Sequence, residues 1–310
     1  MALWSAAVSV KTAVYYGSYL VFPFLFWLLY ALYRRPKVIS RWFYLALCAL
    51  FIWSRFVEPQ MIRVRETHLQ GTGIKATIVL IADLHLGAYK SPAFLARVVE
   101  KINLLPIERV LIAGDFIGDI ERSAADEASF SSMFSALSEI NAPVFAVLGN
   151  HDASSAHPEL QKNLRLALEK QGVQLIEKKI IDLEAYRIAG LEDRWEGDDS
   201  PTFILQSPSE KPTLVLAHQP DSALQFRTEN AALLLAGHTH CGQIRISWLY
   251  RRFVPSNLDF DCGLGEVSTA HTPTKALPTL RVFITPGLGE IALPLRFLAP
   301  PTIDYIHLHP

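Results

Sequence analysis

The chain is short of the residues that staple small proteins. Its 310 positions hold three cysteines, Cys48, Cys241 and Cys262, an odd number with no C-x-x-C spacing. That scarcity excludes a disulfide framework or a zinc ribbon and implies a reducing compartment. No internal repeat and no low-complexity linker is found, which excludes a solenoid or a string of tethered modules. Net charge is almost absent too, with 29 Lys and Arg against 30 Asp and Glu, but the balance is uneven. Residues 1–75 carry nine basic side chains against Glu58 and Glu66, a net +7 that leaves −8 for the remainder. A basic amino-terminal segment on an acidic body points to an anionic membrane surface as partner and away from nucleic acid. No protein partner is implied.

Half of the residues are hydrophobic, enough to bury the core of one catalytic domain of about 200 to 250 residues with an appendage. The run AVYYGSYLVFPFLFWLLYALY, residues 13–33, contains no charge. As a helix it spans roughly 31 Å, against a hydrocarbon core of about 30 Å, so it reads as a transmembrane span. Tyrosines stand at both of its ends, and Pro23 is tolerable in a membrane helix. A cleaved signal peptide fits less well, because its apolar region runs about 7 to 15 residues and ends at small residues rather than RRPK. A second run, WFYLALCALFIW at 42–53, covers only about 18 Å and reads as an interfacial or re-entrant segment. The basic RRPKVISR would hold the carboxyl end of the first span in the cytoplasm. One span therefore leaves the catalytic domain on the cytoplasmic side of a bacterial inner membrane; a second crossing at 42–53 would put it outside. The expected division is an anchor, residues 1–60, and a catalytic domain, residues 61–310.

Beyond residue 62, buried-strand patterns recur and end in polar clusters. ATIVLIA precedes Asp83, RVLIA precedes Gly114 and Asp115, and PVFAVL precedes Gly149 and Asn150. TLVLA precedes His218, and ALLLA precedes Gly237 and His238. Helical patterns lie between, at 92–105, 122–140 and 157–171, while 241–310 reads as strands and loops. Alternating strands and helices predict an α/β domain, and polar residues at strand carboxyl ends are where such sheets place their sites.

Taken singly, DLHLG, GDFIGD, GNHD and AHQPD are turns, and a lone histidine beside a strand is a satisfied or exposed one. Taken jointly they are not. Five of the ten histidines, His85, His151, His218, His238 and His240, fall in these clusters beside Asp83, Asp115, Asn150 and Asp152. His68, His157, His271, His307 and His309 fall outside them and read as structural or surface residues. Mixed imidazole and carboxylate donors suit a pair of Mn, Fe or Zn ions, whereas Mg or Ca would draw an all-oxygen set. Such a pair brings the pKa of bound water from about 15.7 towards 7, giving a nucleophile at neutral pH.

In order, D-x-H, GD, GNHD, H and GHTH resemble the calcineurin-like metallophosphoesterases over most of residues 75–310. The resemblance implies a two-sheet sandwich flanked by helices and a dinuclear site with Mn the first choice. Asp83, His85 and His240 would bind one metal, Asn150, His218 and His238 the other, and Asp115 would bridge. His151 would serve the leaving-group oxygen, with Asp152 orienting it. The flanking RFVEPQMIRV, LAHQPD and GLGEIALPLRFLAPPTIDYIHL resemble a membrane-associated bacterial branch that includes UDP-2,3-diacylglucosamine pyrophosphatases of lipid A synthesis. That branch implies a lipid-linked nucleotide as substrate; another phospholipid, a general phosphate ester, or a non-catalytic scaffold are the alternatives. Two positions depart from it: Cys241 replaces the glycine after GHTH, and Thr302 stands in place of glutamate near the carboxyl terminus. Cys241 reads either as a small hydrophobe or as an oxidisable neighbour of the site.

Overall fold

Short Val, Ile and Leu runs build two six-stranded sheets that face each other. The computed structural model describes residues 10, 12–118, 126–153, 157–226, 231–268 and 279–310. One sheet holds β1 (Arg63–Leu69), β2 (Ala76–Ile81), β3 (Arg109–Ala113), β4 (Val144–Val147), β5 (Val173–Leu175) and β12 (Thr302–Leu308), in the order β1-β12-β2-β3-β4-β5. The other holds β6 (Lys179–Asp182), β7 (Arg187–Gly190), β8 (Thr213–Leu216), β9 (Leu233–Ala236), β10 (Gly263–Ser268) and β11 (Thr279–Ile284), in the order β10-β11-β9-β8-β7-β6. Strands β2 to β5 run parallel, as do β7, β8, β9 and β11. Their alternation divides the core: Ile78 and Leu80 of β2 pack towards Leu214, Leu216, Leu233 and Leu235 of the facing sheet. Val79 and Ile81 pack the other way, against Phe94, Leu95 and Val98 of α3 (Pro92–Asn103). This is the mixed α/β two-sheet architecture expected.

Helices α3, α4 (Glu127–Met133) and α5 (Pro158–Lys170) occupy the stretches where helix was expected. The pattern at 122–140 breaks after Met133 and continues as a 3-10 turn, Ser135–Glu139; its first residues, and His271, lie outside the described residues. Strands β1, β5, β6 and β7 are short or lie towards the sheet edges, and no apolar run announces them.

Among the described residues one helix, α1 (Thr12–Arg34), is long and apolar enough to cross a membrane. The run at 42–53 is the middle of a longer element than its apolar length indicates. Helix α2 (Ile39–Ile52) continues through a π turn, Trp53–Val57, and a 3-10 turn, Glu58–Gln60. The chain stays helical past Trp53 because the polar side chains there find partners in the protein. The Ser54 hydroxyl donates to the Leu50 carbonyl at 2.9 Å, and the Arg55 guanidinium lies 4.4 Å from the Tyr15 ring and 4.7 Å from Phe56. Leu28 and Leu32 of α1 pack against Cys48 of α2, so the two form a hairpin. Arg55 Nε donates to Ser18 Oγ at 3.0 Å, and Tyr15 stacks on Tyr89 of the body. The open end of the hairpin thus rests on the catalytic body, and the basic turn at Arg35-Pro36-Lys37 lies at its far end.

Two hydrogen bonds fix that docking: Arg296 N donates to Ser54 O at 2.9 Å, and Ala299 N to Glu58 Oε1 at 2.8 Å. A third polar contact, from buried Lys90 to the Pro59 carbonyl, closes the joint.

The cysteine reading requires correction, since Cys241 and Cys262 form a disulfide with their Cα atoms 4.9 Å apart. Twenty-one residues separate them, and only tertiary structure brings them together. The Thr239 hydroxyl donates to the Asp261 carbonyl at 2.7 Å, and the Arg245 guanidinium grips the Asp261 carboxylate at 2.7 and 3.2 Å. Those bonds press the start of β10 against the GHTHC loop. The inference of a reducing compartment falls with the disulfide. Denatured full-length protein should take up one alkyl group, on Cys48, without reductant and three after reduction, counted by intact mass; three in both conditions would refute the bond.

Candidate metal centre

The five polar clusters meet on one rim because each follows a strand that ends there, and the backbone must turn sharply to aim its side chains inward. Asp83, His85, Asp115, His238 and His240 all have positive φ, between 43° and 68°. Non-glycine residues rarely adopt that region, and it persists only where surrounding structure enforces it, commonly at functional sites. Among the described residues ten non-glycine positions share it, and half are candidate ligands.

The seven candidate ligands converge. Asp115 Oδ2 lies 3.5 Å from His85 Nε2 and 3.3 Å from His218 Nε2, between two groups of donors. On one side His85 Nε2 is 3.2 Å from His240 Nε2, which is 3.7 Å from Asp83 Oδ1. On the other, His218 Nε2 is 3.2 Å from Asn150 Oδ1 and 3.1 Å from His238 Nδ1. The Nδ1 atoms of His85 and His218 face the carbonyls of Ile117 at 3.2 Å and Ala113 at 2.7 Å. With Nδ1–H donated to a carbonyl, each Nε2 lone pair points into the cluster, the usual outer-shell arrangement of a ligating histidine.

Burial sets the protonation. It holds His85 and His238 down at about 3, and His240 well below the usual histidine range, so these rings are neutral donors at pH 7. Burial likewise lifts Asp83 to about 7. Asp115 is buried as deeply, yet His218, His151 and His85 together hold it well below the usual carboxylate range. Burial opposes the charge on His218, but Asp115 overrides it and lifts that ring to about 10. Among the protein groups alone, one imidazolium therefore balances the central carboxylate. Cations fit this set: the donors are the N and O mixture that borderline divalent metals prefer, and Nε2 of His238 is buried with no hydrogen-bond partner.

The protein holds the cluster by backbone rather than by more charge. A Cβ on Gly149 would lie 2.2 Å from Asp115 Oδ1, and one on Gly114 would lie 2.6 Å from Gly149 N, so both positions must be glycine for the two loops to close. Asp152 accepts from the backbone N–H of Phe116 and Ile117 at 3.0 Å each and of Gly149 at 3.1 Å. Its carboxylate is thereby committed to the loops carrying Asp115 and Asn150, and not to the His151 ring it was expected to orient. Burial raises Asp152 to about 7. His151 is partly exposed at the rim; its backbone N–H donates to Asp115 Oδ1 at 2.9 Å, and its ring meets His85 edge-on at 4.9 Å.

Several neighbours carried no sequence signal. Trp195 packs edge-on against His238 with ring centres 4.6 Å apart, and the fully buried Arg296 places Nη2 3.4 Å from His240 Nδ1. A cavity of about 480 Å³ opens over the cluster, with Asp115, Asn150 and His151 at its floor. Its walls are Ile244, Leu249, Phe253, Ile291 and Leu293. A second cavity of about 390 Å³ also borders Ile244 and is lined by Leu47, Leu50 and Phe51 of α2.

Residues 76–242 match the family model described as Calcineurin-like phosphoesterase. The chain is 28% identical to an uncharacterized metallophosphoesterase of Helicobacter pylori, over 86% of this chain and 70% of that protein. It is 26% identical to phosphodiesterase YaeI of Escherichia coli, over 83% of this chain and 92% of that one. It is 25% identical to UDP-2,3-diacylglucosamine pyrophosphatase LpxG of Chlamydia muridarum, over 82% and 91% respectively.

The geometry generates a test on space as well as charge. Asp115→Asn and Gly149→Ala, the second of which alters no donor atom, should each lose most bound metal relative to wild type when dialysed protein is assayed by elemental analysis. Full metal content in both would remove Asp115 from the centre of the site.

Proposed function

The chain belongs to the calcineurin-like phosphoesterases, and from that premise we propose that it hydrolyses a phosphate ester or pyrophosphate of a lipid-linked substrate at a membrane surface. The coarse activity is that of the family, a metal-binding hydrolase acting on phosphate esters. The observation that carries the finer reading is the apolar wall of the cavity over the cluster, with a second apolar cavity between Ile244 and α2 beside it. A water-soluble ester would have no use for walls of Leu, Ile and Phe, whereas acyl chains would contribute about 0.8 kcal/mol for each CH₂ they bury.

In this reading Asp83, His85 and His240 hold one divalent ion and Asn150, His218 and His238 the other, with Asp115 between them. When bound, such ions supply Lewis acidity and a water nucleophile at neutral pH; manganese, iron and zinc all suit the donors. The chain's own groups do the rest. His151, at the rim of the cavity, gives a proton to the departing oxygen. Asp152 keeps the loops of Asp115 and Asn150 closed. The apolar walls align the lipid so that its phosphate meets the cluster, and positioning of that kind supplies several kcal/mol of a phosphoryl-transfer barrier.

Two substrates fit. UDP-2,3-diacylglucosamine, cleaved to UMP and 2,3-diacylglucosamine 1-phosphate, is the substrate class named for one relative. The headgroup ester of a phospholipid is favoured by a separate observation, the hairpin with its disulfide-bearing body. The stretch Ile39–Val57 covers about 28 Å as a helix, enough to cross beside α1. The basic turn at the far end would then lie in the cytoplasm and the catalytic body on the oxidising side, where the Cys241–Cys262 bond persists. A site on that face would meet the phospholipid headgroups of the adjoining leaflet.

One assay separates the substrates: full-length protein in detergent with Mn²⁺ or chelator, offered UDP-2,3-diacylglucosamine, a phospholipid and a nitrophenyl diester. Metal-dependent cleavage of a lipid well above the soluble diester is expected, and equal rates on all three would sink the lipid reading. His151→Ala should lower turnover by about 10² to 10⁴ while keeping its metal; unchanged turnover would remove His151 from proton delivery. In sealed vesicles of known orientation, an impermeant protease should digest the body only from the face opposite the basic turn, and digestion from the cytoplasmic face would restore the single-span topology.

A further inference from the structure

Far from the catalytic rim, the edge of the first sheet gathers three histidines and a glutamate that the phosphoesterase chemistry does not use. Strands β1 and β12 pair in parallel with His68 opposite His307. Alternation along a strand puts Glu66 and His68 of β1 on one face, and His307 and His309 on the same face of β12. His307 pairs with Thr77 near the start of β2, whereas the metal cluster begins at Asp83 beyond its end. Six residues at about 3.3 Å each set the two places roughly 20 Å apart.

The side chains converge closely enough to hold an ion. One ligand atom from each of Glu66, His68 and His307 lies within 4.8 Å of the others. Glu66 Oε1 is 2.9 Å from His307 Nε2 and 3.7 Å from His68 Nε2. Around a tetrahedral Zn²⁺ with bonds of about 2.0 to 2.2 Å, neighbouring ligand atoms stand about 3.4 Å apart, and the two Glu66 separations bracket that value. The His68 and His307 rings stack 8° from parallel with centres 4.4 Å apart, so the exposed His68 ring must turn for both Nε2 lone pairs to meet one ion. Each ring also has an outer partner on its other nitrogen: His68 Nδ1 is 3.1 Å from His309 Nε2, and His307 Nδ1 is 3.5 Å from the Thr77 hydroxyl. Outer contacts of this kind set the tautomer of ligating histidines.

We propose that Glu66, His68 and His307 form a second, surface-facing site for a borderline divalent cation of the zinc type, with His309 and Thr77 beside the outer nitrogens of the two rings. Two imidazoles and a carboxylate leave at least one position for water and select against Mg²⁺ and Ca²⁺, which prefer all-oxygen sets. The ion would clamp edge strand β1 to β12. Strand β1 is the piece of chain that joins the hairpin to the sheet, and its outer edge is unpaired, so the clamp also guards an exposed strand edge.

The test is Zn²⁺ uptake by chelator-stripped full-length protein, measured by equilibrium dialysis for wild type and for His68→Ala/His307→Ala. Wild type should bind one more equivalent per chain than the double variant, however many the catalytic cluster takes. The double variant should hydrolyse substrate as wild type does, since neither residue belongs to the cluster. Substituting Co²⁺ should give a visible difference spectrum between the two proteins. His68→Gln, at a half-exposed position, repeats the comparison in a variant whose folding the change does not threaten. Equal uptake by wild type and variant would overturn the site, as would an extra equivalent that appears only at Zn²⁺ far in excess of the protein.

Discussion

Burying Asp83 and Asp115 is the constraint on which the rest of this molecule depends. An ionised carboxylate in a dry interior costs several kcal/mol unless opposite charge and hydrogen bonds answer it. Asp115 is answered by His218, His151 and His85, and Asp83 by the His238 backbone amide together with the charges of His218 and Arg296. These groups come from separate strand ends, so the compensation works only if all the ends reach the same place at once. That requirement explains the row of left-handed backbones at Asp83, His85, Asp115, His238 and His240. It explains the absence of a side chain at Gly114 and Gly149, and the use of Asp152 as a clasp on three backbone amides.

The same electrostatic logic extends outward to the hairpin. Arg296 is fully buried; Nη1 donates to the Ala299 carbonyl at 2.7 Å, while Nη2 reaches towards His240. Glu290 faces both Lys90 at 3.0 Å and Arg296 at 3.6 Å, and burial pushes Lys90 down to about 8 despite that partner. Lys90 also meets the Pro59 carbonyl, and Glu58 takes the Ala299 amide. A single buried polar network therefore joins the end of the second helix, the loop at 286–301 and a metal-cluster histidine. Pulling the hairpin away would take the Pro59 carbonyl from Lys90 and leave the Arg296 and Ala299 amides without Ser54 and Glu58. The height of the site above the hairpin is accordingly fixed by packing.

The strands that matter were legible because each buried run is short, continuous in Val, Ile and Leu, and closed by a polar residue. The grouping of their ends was legible only through the joint pattern, since no single cluster differs from a turn. Asp152 was assigned to the wrong partner because sequence adjacency to His151 says nothing about which backbone amides its carboxylate meets. The disulfide was hidden for a related reason: Cys262 reaches Cys241 through contacts of Asp261 with Thr239 and Arg245. The length of the second helix was misjudged because hydropathy treats Ser54, Arg55 and Glu58 as if water or lipid had to solvate them. In the fold, Tyr15, Phe56, Trp53 and the 299 amide do so instead. Trp195 and Arg296 left no trace, because one arrives from a loop after β7 and the other from the carboxyl-terminal loop.

The shape of the cavity bears on how binding energy could serve the chemistry. Trp248 and Phe253 are more than 70% exposed, and Leu293 and Leu298 are exposed too, although Phe253 and Leu293 also wall the space above the metal cluster. Large apolar side chains around a mouth mark a surface that meets something apolar. Here the neighbouring element is a helical hairpin whose outer faces are equally apolar, and under the membrane reading proposed above a bilayer would be that partner. Under the lipid reading proposed above, chains resting against Ile244 and Leu293 would stay in an apolar setting while the phosphate meets a cluster of imidazoles and carboxylates. Chain contacts far from phosphorus then align the reacting group rather than merely tighten binding, and energy used in that way raises turnover. A catalytic cluster held rigidly by buried charge can gain selectivity for lipids only through such walls, because its own donors read phosphate and nothing else.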